Sequence, residues 1–399
     1  MFGLVMKIAA SFHMKANLFI TGRKNIFQRA KDSIDPNKKL AWFHCASLGE
    51  FEQARPIIEA FKYQFSDYQV LVTFFSPSGY EVKKNYEHAD HVFYLPIDSA
   101  NNAKEWLDIT NPTIVFFIKY EFWYHYFNEI NERNIPLISA SSIFREDQIF
   151  FKSFGQLQRS ILKKVSHFFV QNNLSIELLN GIGIKNAALS GDTRFDRVYE
   201  ISQQATGIPA AAAFANSKKT WVLGSVWEED LEVFLPFINH NESDQKFIIA
   251  LHEVTEAALI KLEKQLTKSF IRFSNANSSN VDECDVLLID NVGMLSSLYQ
   301  YGDFAFIGGA YGKGLHNILE AATFGLPIFF GNKKYKKFQE ATDLIKLEAA
   351  FAIADYHELN GQFQNLNHEV ASMIAQSYVK DHTGATNKII DYCKTVLKS

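Results

Sequence analysis

The chain has 399 residues, of which 47% are hydrophobic, and its formal net charge is −4. This length is sufficient for about two domains with hydrophobic cores of their own, and the composition excludes global disorder. The slight negative charge argues against nucleic acid as the main partner, because binding along a phosphate backbone requires a clear basic excess.

The first twenty residues are apolar, but they contain basic side chains and lack a small-residue cleavage site. They predict either an amphipathic helix on a membrane surface or a helix packed on its own domain. No uncharged apolar run reaches about 18 residues, so no membrane span is predicted. The three cysteines are far apart, which fits a reducing compartment and argues against a disulfide framework or a structural zinc site.

From about residue 39 the sequence alternates short apolar strands with helical segments. The predicted strands are Leu40–Cys45, Val70–Phe75, His91–Leu95, Thr113–Ile118, Pro136–Ser139, His167–Val170 and Ala187–Leu189. The helical segments between them include Glu50–Phe65, Ser78–Tyr86, Asn101–Asp108 and Tyr124–Arg133. This alternation is typical of a doubly wound α/β domain with a parallel sheet.

After a segment with Gly207-Ile208-Pro209 and an alanine run, the alternation restarts. The predicted strands of this second part are Trp221–Gly224, Lys246–Ala250, Val286–Ile289, Phe304–Ile307 and Pro327–Phe330. Helices are expected from Glu228 and Thr255, and the final helix, about Asn387–Lys398, could pack on either half.

The sequence therefore predicts two Rossmann-like domains with parallel sheets that face each other across a cleft. Ligands of such sheets bind beyond the carboxyl ends of the strands. The predicted parts are a membrane-associating segment 1–20, a first domain 21–200, a connection 201–219, and a second domain 220–399 that includes the closing helices.

The segment 306–331 has the pattern of a nucleotide-binding loop. Gly308-Gly309 follow an apolar strand, a helix is expected from His316-Asn317, and Glu320 lies one turn further on. Glycines let backbone N–H groups approach a phosphate, a helix N-terminus favours negative charge, and Glu320 could accept ribose hydroxyls. An ordinary βαβ unit in which His316 or Asn317 caps the helix explains the segment equally well.

Two carboxylates follow predicted strands of the first half. Glu50 stands at a helix start behind Gly49, where a carboxylate can act as a general base or simply interact with the helix dipole. Glu121 follows the strongly apolar strand before it, and either faces a ligand or pairs with Lys119 or Arg145.

The run from Gly191 to Asp196 contains a further candidate, Arg194. A cation there could neutralise a leaving phosphate, although the spacing favours an ion pair with Asp192 or Asp196. In the second half His252 follows a strand, and so does the loop Asp290–Leu295. These strand-end loops predict a nucleotide-binding edge.

Other classes of chemistry lack their motifs. No GxGxxG opens the first half and no GxxxxGK[ST] occurs, which argues against hydride transfer and P-loop chemistry. There is no HExxH and no clustered His/Cys/Asp set, so no catalytic metal and no cofactor is expected. The basic run Lys333–Lys337 is either a solvated loop or a holder of an anionic ligand or lipid.

These residues together resemble the 3-deoxy-D-manno-octulosonic acid (Kdo) transferases, GT-B-type glycosyltransferases of lipopolysaccharide assembly. The resemblance covers nearly the whole chain. It is carried by Gly22-Arg23, Ser47-x-Gly49-Glu50, Ala54-Arg55-Pro56, Ser76-Pro77-Ser78-Gly79, Glu121-x-Trp123, Gly191-Asp192-x-Arg194-Phe195-Asp196, Asp290-x-x-Gly293-x-Leu295, Gly308-Gly309 and His316-Asn317-x-Leu319-Glu320.

The resemblance implies an inverting transfer of Kdo from CMP-Kdo to the lipid A disaccharide precursor, at the cytoplasmic face of the bacterial inner membrane. Glu50 would be the general base, and Glu121 and Arg194 would stabilise the transition state. The residues expected to bind nucleotide and sugar are His252, Val292, Gly293, Met294, Gly308, Gly309, Asn317, Ile318, Leu319 and Glu320. The alternatives are another GT-B enzyme, such as a UDP-sugar transferase or epimerase, and a non-catalytic nucleotide-binding protein on the membrane.

The chain departs from the family pattern at four places. Arg194 replaces a Lys, and only His252 remains of an Arg-His-Pro run. Val226-Trp227 replaces a Thr-His pair, and 139–141 replaces an Asn-Ala-Arg run. We expect basic residues of Lys333–Lys337, or Arg145, to compensate for the missing cations.

Overall fold

The computed structural model describes residues 14–216, 218–240 and 245–398. Within them the chain forms two compact α/β units. The first comprises the described residues up to Arg197 together with those from Thr383 onward, and the second comprises Val198–His382.

The first unit contains a seven-stranded parallel sheet in the order β3-β2-β1-β4-β5-β6-β7. Its strands are β1 (Leu40–Cys45), β2 (Gln69–Phe74), β3 (His91–Tyr94), β4 (Ile114–Ile118), β5 (Leu137–Ser142), β6 (His167–Val170) and β7 (Ala187–Leu189). Its first nine helices are α1 (Met14–Thr21), α2 (Ile26–Ser33), α3 (Leu48–Gln64), α4 (Pro77–Lys83), α5 (Ala100–Thr110), α6 (Tyr124–Glu132), α7 (Gln156–Leu162), α8 (Asn173–Gly181) and α9 (Thr193–Gln203), the last of which continues into the second unit.

The second unit contains another seven-stranded parallel sheet, in the order β10-β11-β9-β8-β12-β13-β14. Its strands are β8 (Lys219–Val226), β9 (Gln245–Leu251), β10 (Phe270–Arg272), β11 (Val286–Ile289), β12 (Phe304–Ile307), β13 (Ile328–Gly331) and β14 (Ala350–Ile353). Its helices are α10 (Pro209–Ala215), α11 (Glu228–Asn239), α12 (Glu256–Gln265), α13 (Leu295–Leu298), α14 (Leu319–Ala322), α15 (Gln339–Lys346), α16 (Tyr356–Asn365) and α17 (His368–Asp381).

The predicted α/β class with two parallel sheets is confirmed. Each predicted strand is present, with its ends shifted by at most three residues. The prediction missed β10 and β14, which are the two edge strands of the second sheet and have only three and four residues. The predicted connection 201–219 holds the end of α9 and the short helix α10.

Both faces of the first sheet are covered by apolar side chains. Trp42 of β1 packs on one face, with its ring 5.5 Å from that of Phe117. The next residue, Phe43, packs on the other face and stacks 4.4 Å from Phe116. Because successive residues of a strand point to opposite faces, burial on both faces explains the uninterrupted apolar strands of the sequence.

The last helix, α18 (Ala385–Val396), belongs to the first unit. Its buried residues Ile389, Ile390 and Cys393 join the core on the Phe43 face of the sheet. The prediction that 220–399 forms one domain is therefore wrong at its C-terminal end, because this apolar helix face is buried in the first unit.

Asp196 of α9 anchors the start of α18. Its carboxylate accepts hydrogen bonds of 2.7 Å from both the amide and the hydroxyl of Thr386, and another from the amide of Gly384. A carboxylate at a helix N-terminus satisfies amides that have no partner within the helix. Asp196 therefore caps this helix.

Arg23 holds α1 onto the first unit. Its guanidinium donates hydrogen bonds to the carbonyl oxygens of Phe19 (2.9 Å), Phe75 (2.7 Å) and Leu95 (2.8 Å), and lies 4.7 Å from the ring centroid of Tyr94. Residues 1–13 of the predicted membrane segment lie outside the described residues. None of the helices formed by the described residues has the length and apolar character needed to cross a membrane.

Candidate active site

Glu50 and Glu121 lie at the carboxyl edge of the first sheet. Glu50 is in the first turn of α3, where its carboxylate accepts a hydrogen bond from the hydroxyl of Ser47. Glu121 follows β4 and accepts a 3.0 Å hydrogen bond from Nε1 of Trp123. Burial, and then the charge of Glu50, raise the pKa of Glu121, although the Trp123 bond opposes them. The two carboxylates are therefore electrostatically coupled.

The position of these carboxylates follows from the strand order. Helix connections leave β1 and β4 in opposite directions along the sheet, so the point between these neighbouring strands is the topological switch point. Open α/β sheets bind ligands beyond the carboxyl ends of strands at such a point. Glu50 and Glu121 follow the two strands that flank it.

Two basic side chains lie near the ring of Tyr120, which precedes Glu121 in the chain. Nζ of Lys119 lies 5.3 Å from the ring centroid of Tyr120, and the guanidinium carbon of Arg145 lies 6.0 Å from it. Arg145 makes its ion pair with Asp147, at 3.7 Å. Among the described residues Glu121 forms no salt bridge with Lys119 or Arg145, so the predicted alternative is absent.

Arg194 is paired with Asp192. The guanidinium nitrogens Nε and Nη2 of Arg194 lie 2.9 and 2.8 Å from Oδ2 of Asp192. The backbone amide of Arg194 donates to Oδ1 of Asp192 at 2.9 Å. Burial alone would raise the pKa of Asp192, but the charge and hydrogen bonds of Arg194 hold it below its ordinary value. The ion pair favoured by the spacing is therefore present.

A hydrogen-bond network brings this ion pair next to α3. The side-chain amide of Gln53 donates to both carboxylate oxygens of Asp192, at 3.1 and 3.2 Å. The hydroxyl of Thr193 donates to the carbonyl oxygen of Gln53. Gln53 lies one helical turn after Glu50, so the network connects Arg194 to the helix that carries the candidate base, although β7 is at the far edge of the sheet.

In the second unit, a buried carboxylate holds the glycine turn after β12. Oδ2 of Asp230, on α11, accepts hydrogen bonds of 2.8 Å from the amides of Trp227 and Gly309. Gly308 allows this close approach, because a Cβ there would lie 2.3 Å from the carbonyl oxygen of Ser225 and 2.7 Å from Oδ2 of Asp230. Burial raises the pKa of Asp230 to about 6. The turn and its buttress again lie at a switch point, between β8 and β12.

A stack of three rings lies beside this turn. The ring of His252 is 4.3 Å from that of Trp227 and 4.4 Å from that of His316, nearly parallel to both. Nζ of Lys313 lies 5.5 Å from the centroid of the Trp227 ring. The structure therefore brings the predicted site residue His252 together with Trp227, His316 and Lys313, which were not predicted as site residues.

The predicted nucleotide helix is shorter than the sequence indicates. It was expected to begin near His316-Asn317, but α14 has four residues and begins at Leu319. The side chain of Asn317 accepts from the amide of Leu319 at 3.2 Å and donates to Glu320 at 3.0 Å. Asn317 thus makes the local contacts of the capping alternative, and Ile318 immediately precedes the helix.

The loop after β11 is open. Gly293 has a left-handed backbone (φ 95°), and a Cβ at this position would meet no atom within 4 Å. Val292 is 85% exposed, and Met294 precedes α13. Asp290 accepts hydrogen bonds from the amide and hydroxyl of Ser274, which fixes the start of the loop.

Three residues other than glycine have left-handed backbones at the carboxyl ends of strands. They are Lys119 (φ 69°), Ser141 (φ 51°) and Ser225 (φ 53°), and the last two accompany register shifts in their strands. This conformation is unfavourable for residues with a Cβ and is concentrated at functional sites. It therefore supports a functional role for both sheet edges.

Among the described residues, no group of three or more His, Cys, Asp or Glu side chains is arranged to hold a metal ion.

The sequence analysis did not predict four residues of the candidate site, namely Asp230, Trp227, Lys313 and His316. Asp230 had a local signal, because an acidic residue three positions after a helix start completes a capping box. The ring stack has no local signal in the sequence, because its three residues come from three separate loops.

Solved structures with this architecture include a putative UDP-N-acetylglucosamine 2-epimerase from Listeria monocytogenes, with a TM-score of 0.62, 13% identity, and coverage of 90% of this chain and 97% of that one. MurG from Acinetobacter baumannii gives a TM-score of 0.56 at 11% identity, with coverage of 90% and 99%. Such identities show the fold alone. The fold, with its two parallel-sheet domains, is of the GT-B type.

Residues 22–197 match the family model described as 3-deoxy-D-manno-octulosonic-acid transferase (kdotransferase). The transferase of this name from Rickettsia felis is 28% identical over 81% of this chain and 70% of its own length, and that from Aquifex aeolicus is 27% identical over 82% and 86%. A bifunctional glycosyltransferase/methyltransferase from Fusobacterium nucleatum is 24% identical over the whole chain, which spans 66% of that protein's length. Over these lengths the chain is similar to the Kdo transferases, a family of glycosyltransferases.

Proposed function

We propose that this protein transfers Kdo from CMP-Kdo to the lipid A disaccharide precursor, with inversion at the sugar carbon. The observation that carries the proposal is the position of Glu50 and Glu121 after the two strands that flank the switch point of the first sheet, inside the segment that matches the Kdo transferase model. An acceptor hydroxyl becomes a nucleophile when a positioned base removes its proton. We assign that role to Glu50.

Glu121 and Arg194 act on charge that develops in the transition state. Glycosyl transfer passes through a state with positive charge on the sugar ring, and a nearby carboxylate stabilises it. Glu121 is suited to this role because it lies close enough to Glu50 for their charges to interact. The charge of Arg194 is shared with Asp192, so its removal is expected to cost less activity than removal of Glu50.

The second unit binds the donor nucleotide. We assign the cytidine and ribose to the open loop at Val292, Gly293 and Met294 and to the segment from Asn317 to Glu320. The open space at Gly293 supports this assignment. Asn317 donates a hydrogen bond to Glu320, and ribose binding would exchange that hydrogen bond for one from a hydroxyl.

The test is incubation of the protein with CMP-Kdo and the lipid A precursor, with the products identified by mass. The expected product is the precursor with one or more Kdo residues added. In parallel, CMP should raise the unfolding temperature more than UMP, because only a ligand of the folded state stabilises it. Transfer from a UDP-sugar, together with protection by UMP alone, would refute the Kdo assignment.

We also propose that the protein acts at the cytoplasmic face of the inner membrane, as a peripheral or monotopic protein, and that the transfer needs neither a metal nor a cofactor. The apolar and basic composition of the first twenty residues supports the membrane part. Deletion of residues 1–20 should release the protein from vesicles in a flotation assay. Activity should survive EDTA, and loss of activity that is restored by a divalent cation would contradict the metal-free proposal.

A further inference from the structure

The amides of four glycines in the loop after β12 already donate hydrogen bonds within the second unit. Gly308 donates to the carbonyl oxygen of Gly224 (2.9 Å), and Gly309 donates to Asp230 (2.8 Å). Gly312 and Gly314 both donate to the carbonyl oxygen of Gly309, at 3.2 and 2.8 Å. A phosphate could bind these four N–H groups only by displacing bonds that are already made. The backbone cradle predicted from the glycines is therefore not open to a ligand.

Helix α14 adds little to anion binding, because its four residues align few peptide dipoles. The anionic groups of a ligand at this edge therefore need side-chain cations. Two lysines are positioned to provide them.

Lys313 and Lys337 both lie next to Gly314 at the loop tip. Lys313 is on the loop itself, with its Nζ over the ring of Trp227. Nζ of Lys337 lies 3.7 Å from the position that a Cβ on Gly314 would occupy. Both side chains are exposed, and among the described residues neither amine has a carboxylate within 4.0 Å.

Backbone hydrogen bonds hold the two lysine-bearing segments together. The amide of Lys334 donates to the carbonyl oxygen of Ala310 at 2.8 Å, and the amide of Leu315 donates to that of Lys334 at 3.4 Å. The segment after β13 is thus tied to the glycine loop on both sides of its tip. Lys337 therefore occupies a position set by the fold, in contrast to a lysine on an unattached loop.

The charge around the loop is uneven. A Cβ on Gly312 would lie 3.1 Å from a carboxylate oxygen of Glu229. The carboxylate of Glu229 therefore repels an anion on the Gly312 side of the loop. Lys337 lies on the Gly314 side. His316 is near this side as well, since its Cδ2 would be 3.0 Å from a Cβ on Gly309. An anion at this loop is expected on the Gly314 side, where the lysines lie.

We propose that Lys313 and Lys337 form the subsite for the anionic groups of the donor, in place of a backbone cradle. The inference rests on the proposed function, because the donor named there carries two such groups, a phosphodiester and a sugar carboxylate. Two ammonium groups match two anionic groups, and they supply the positive charge expected from the Arg that the family pattern has before His252. Charge-assisted hydrogen bonds to such groups are roughly twice as strong as neutral ones.

The test compares Lys313→Gln, Lys337→Gln and the double variant with Lys336→Gln, a control that removes an exposed lysine from the same segment. Calorimetric titration with CMP, which carries the phosphate but not the sugar carboxylate, should show binding about tenfold weaker in the double variant, the loss expected for one hydrogen bond to a charged group. Cytidine, which lacks the phosphate, should bind all variants equally. With CMP-Kdo, the KM of the donor should rise while kcat and the KM of the acceptor stay within twofold.

Two outcomes separate this inference from the proposed function. If the wild type transfers Kdo but the double variant keeps its affinity for CMP and its donor KM within twofold, the subsite is wrong and the function stands. If the wild type transfers no Kdo, the function fails, and CMP and inorganic phosphate still test the subsite by direct binding. Equal losses for CMP and cytidine in the lysine variants would also overturn the subsite, since they would indicate a general disturbance of the loop.

Discussion

Nε1 of Trp227 donates a 3.1 Å hydrogen bond to Nε2 of His316. An imidazole nitrogen that accepts a hydrogen bond carries no proton, so neutral His316 has its proton on Nδ1. Burial, followed by the proximity of His252, lowers the pKa of His316 to about 4. At neutral pH this ring is therefore an uncharged donor at Nδ1, and the positive charge at the glycine loop comes from the lysines.

Trp227→Phe should keep the stack on His252 and remove the hydrogen bond. The bond favours the neutral imidazole with its proton on Nδ1, so its loss should populate the Nε2–H tautomer and raise the pKa of His316, while burial and His252 still hold that pKa below its ordinary value. Nitrogen-15 spectra of histidine-labelled protein report both quantities. His240 and His357, whose ring contacts are with Tyr356, serve as internal controls in the same spectra. An unchanged His316 signal would show that the indole does not set the tautomer.

Glu50→Gln should abolish transfer without unfolding the protein. The amide keeps the size of the side chain but cannot accept a proton, and general base catalysis contributes about 10²- to 10⁴-fold. The expected result is a kcat reduced by about 10³-fold with an unchanged affinity for CMP. Glu52→Gln, two residues further on the same helix, is the matched control and should retain activity. Wild-type kcat in Glu50→Gln would eliminate the proposed base.

Asp230→Asn should change how stability depends on pH. The pKa of Asp230 rises from an ordinary 3.8 to about 6 in the fold, so the folded state binds more protons between these values. Its contribution to stability is therefore complete below about pH 4 and is lost as the pH rises through about 6, at a cost of about 3 kcal/mol. An asparagine can accept the same two amides but does not ionise.

Urea unfolding from pH 4 to pH 7 checks this prediction. The free energy of unfolding of Asp230→Asn, relative to wild type, should increase by about 3 kcal/mol over the range. The exposed Glu232 on the same helix provides the control, since Glu232→Gln should follow the wild-type pH profile. A constant difference between Asp230→Asn and wild type would mean that the carboxylate does not titrate in this range.

Arg23→Lys should loosen the first helix. An ammonium cannot donate to the three carbonyl oxygens of Phe19, Phe75 and Leu95 with the geometry of the guanidinium. Loss of two of these bonds to a charged group should cost about 3 kcal/mol of stability and speed hydrogen exchange in Met14–Thr21. Arg29→Lys, at an exposed arginine that bonds the carbonyl oxygen of Gly22, should cost less than about 1 kcal/mol. Equal losses would contradict the special role of Arg23.

Much of the fold could be predicted because its signals are local. β1 and β4 are uninterrupted apolar runs, and their buried side chains on both faces of the sheet explain why. The edge strands β10 and β14 were missed although strands of the same length were predicted, because β10 contains the charged Arg272 and β14 lies in an alanine-rich run that also suits a helix. The return of α18 to the first unit was also missed, since an apolar helix face indicates that it is buried but not against which domain.

Some residues of the candidate site could likewise be predicted from local signals, whereas others could not. Glu50 and Glu121 could be identified because a carboxylate directly after an apolar strand is visible in the sequence, and the strand order then puts them together. The ion pair of Arg194 with Asp192 was predicted from the spacing, but the hydrogen bond of Asp192 with Gln53, 139 residues away from it, was not. Trp227 stands where the family pattern has a His, and the sequence does not indicate its hydrogen bond to His316.

The sequence by itself determined that the chain has two parallel-sheet domains, where their strand-end loops fall, and which family it resembles, because strands, helices and turns are specified by neighbouring residues. Only the tertiary structure decided which groups of those loops are available to a ligand. Gly308 and Gly309 look like a phosphate cradle in the sequence, yet Gly224 and Asp230 already accept their N–H groups. Hydrogen bonds and charges are satisfied by partners distant in the chain, so the availability of a polar group is a property of the folded protein.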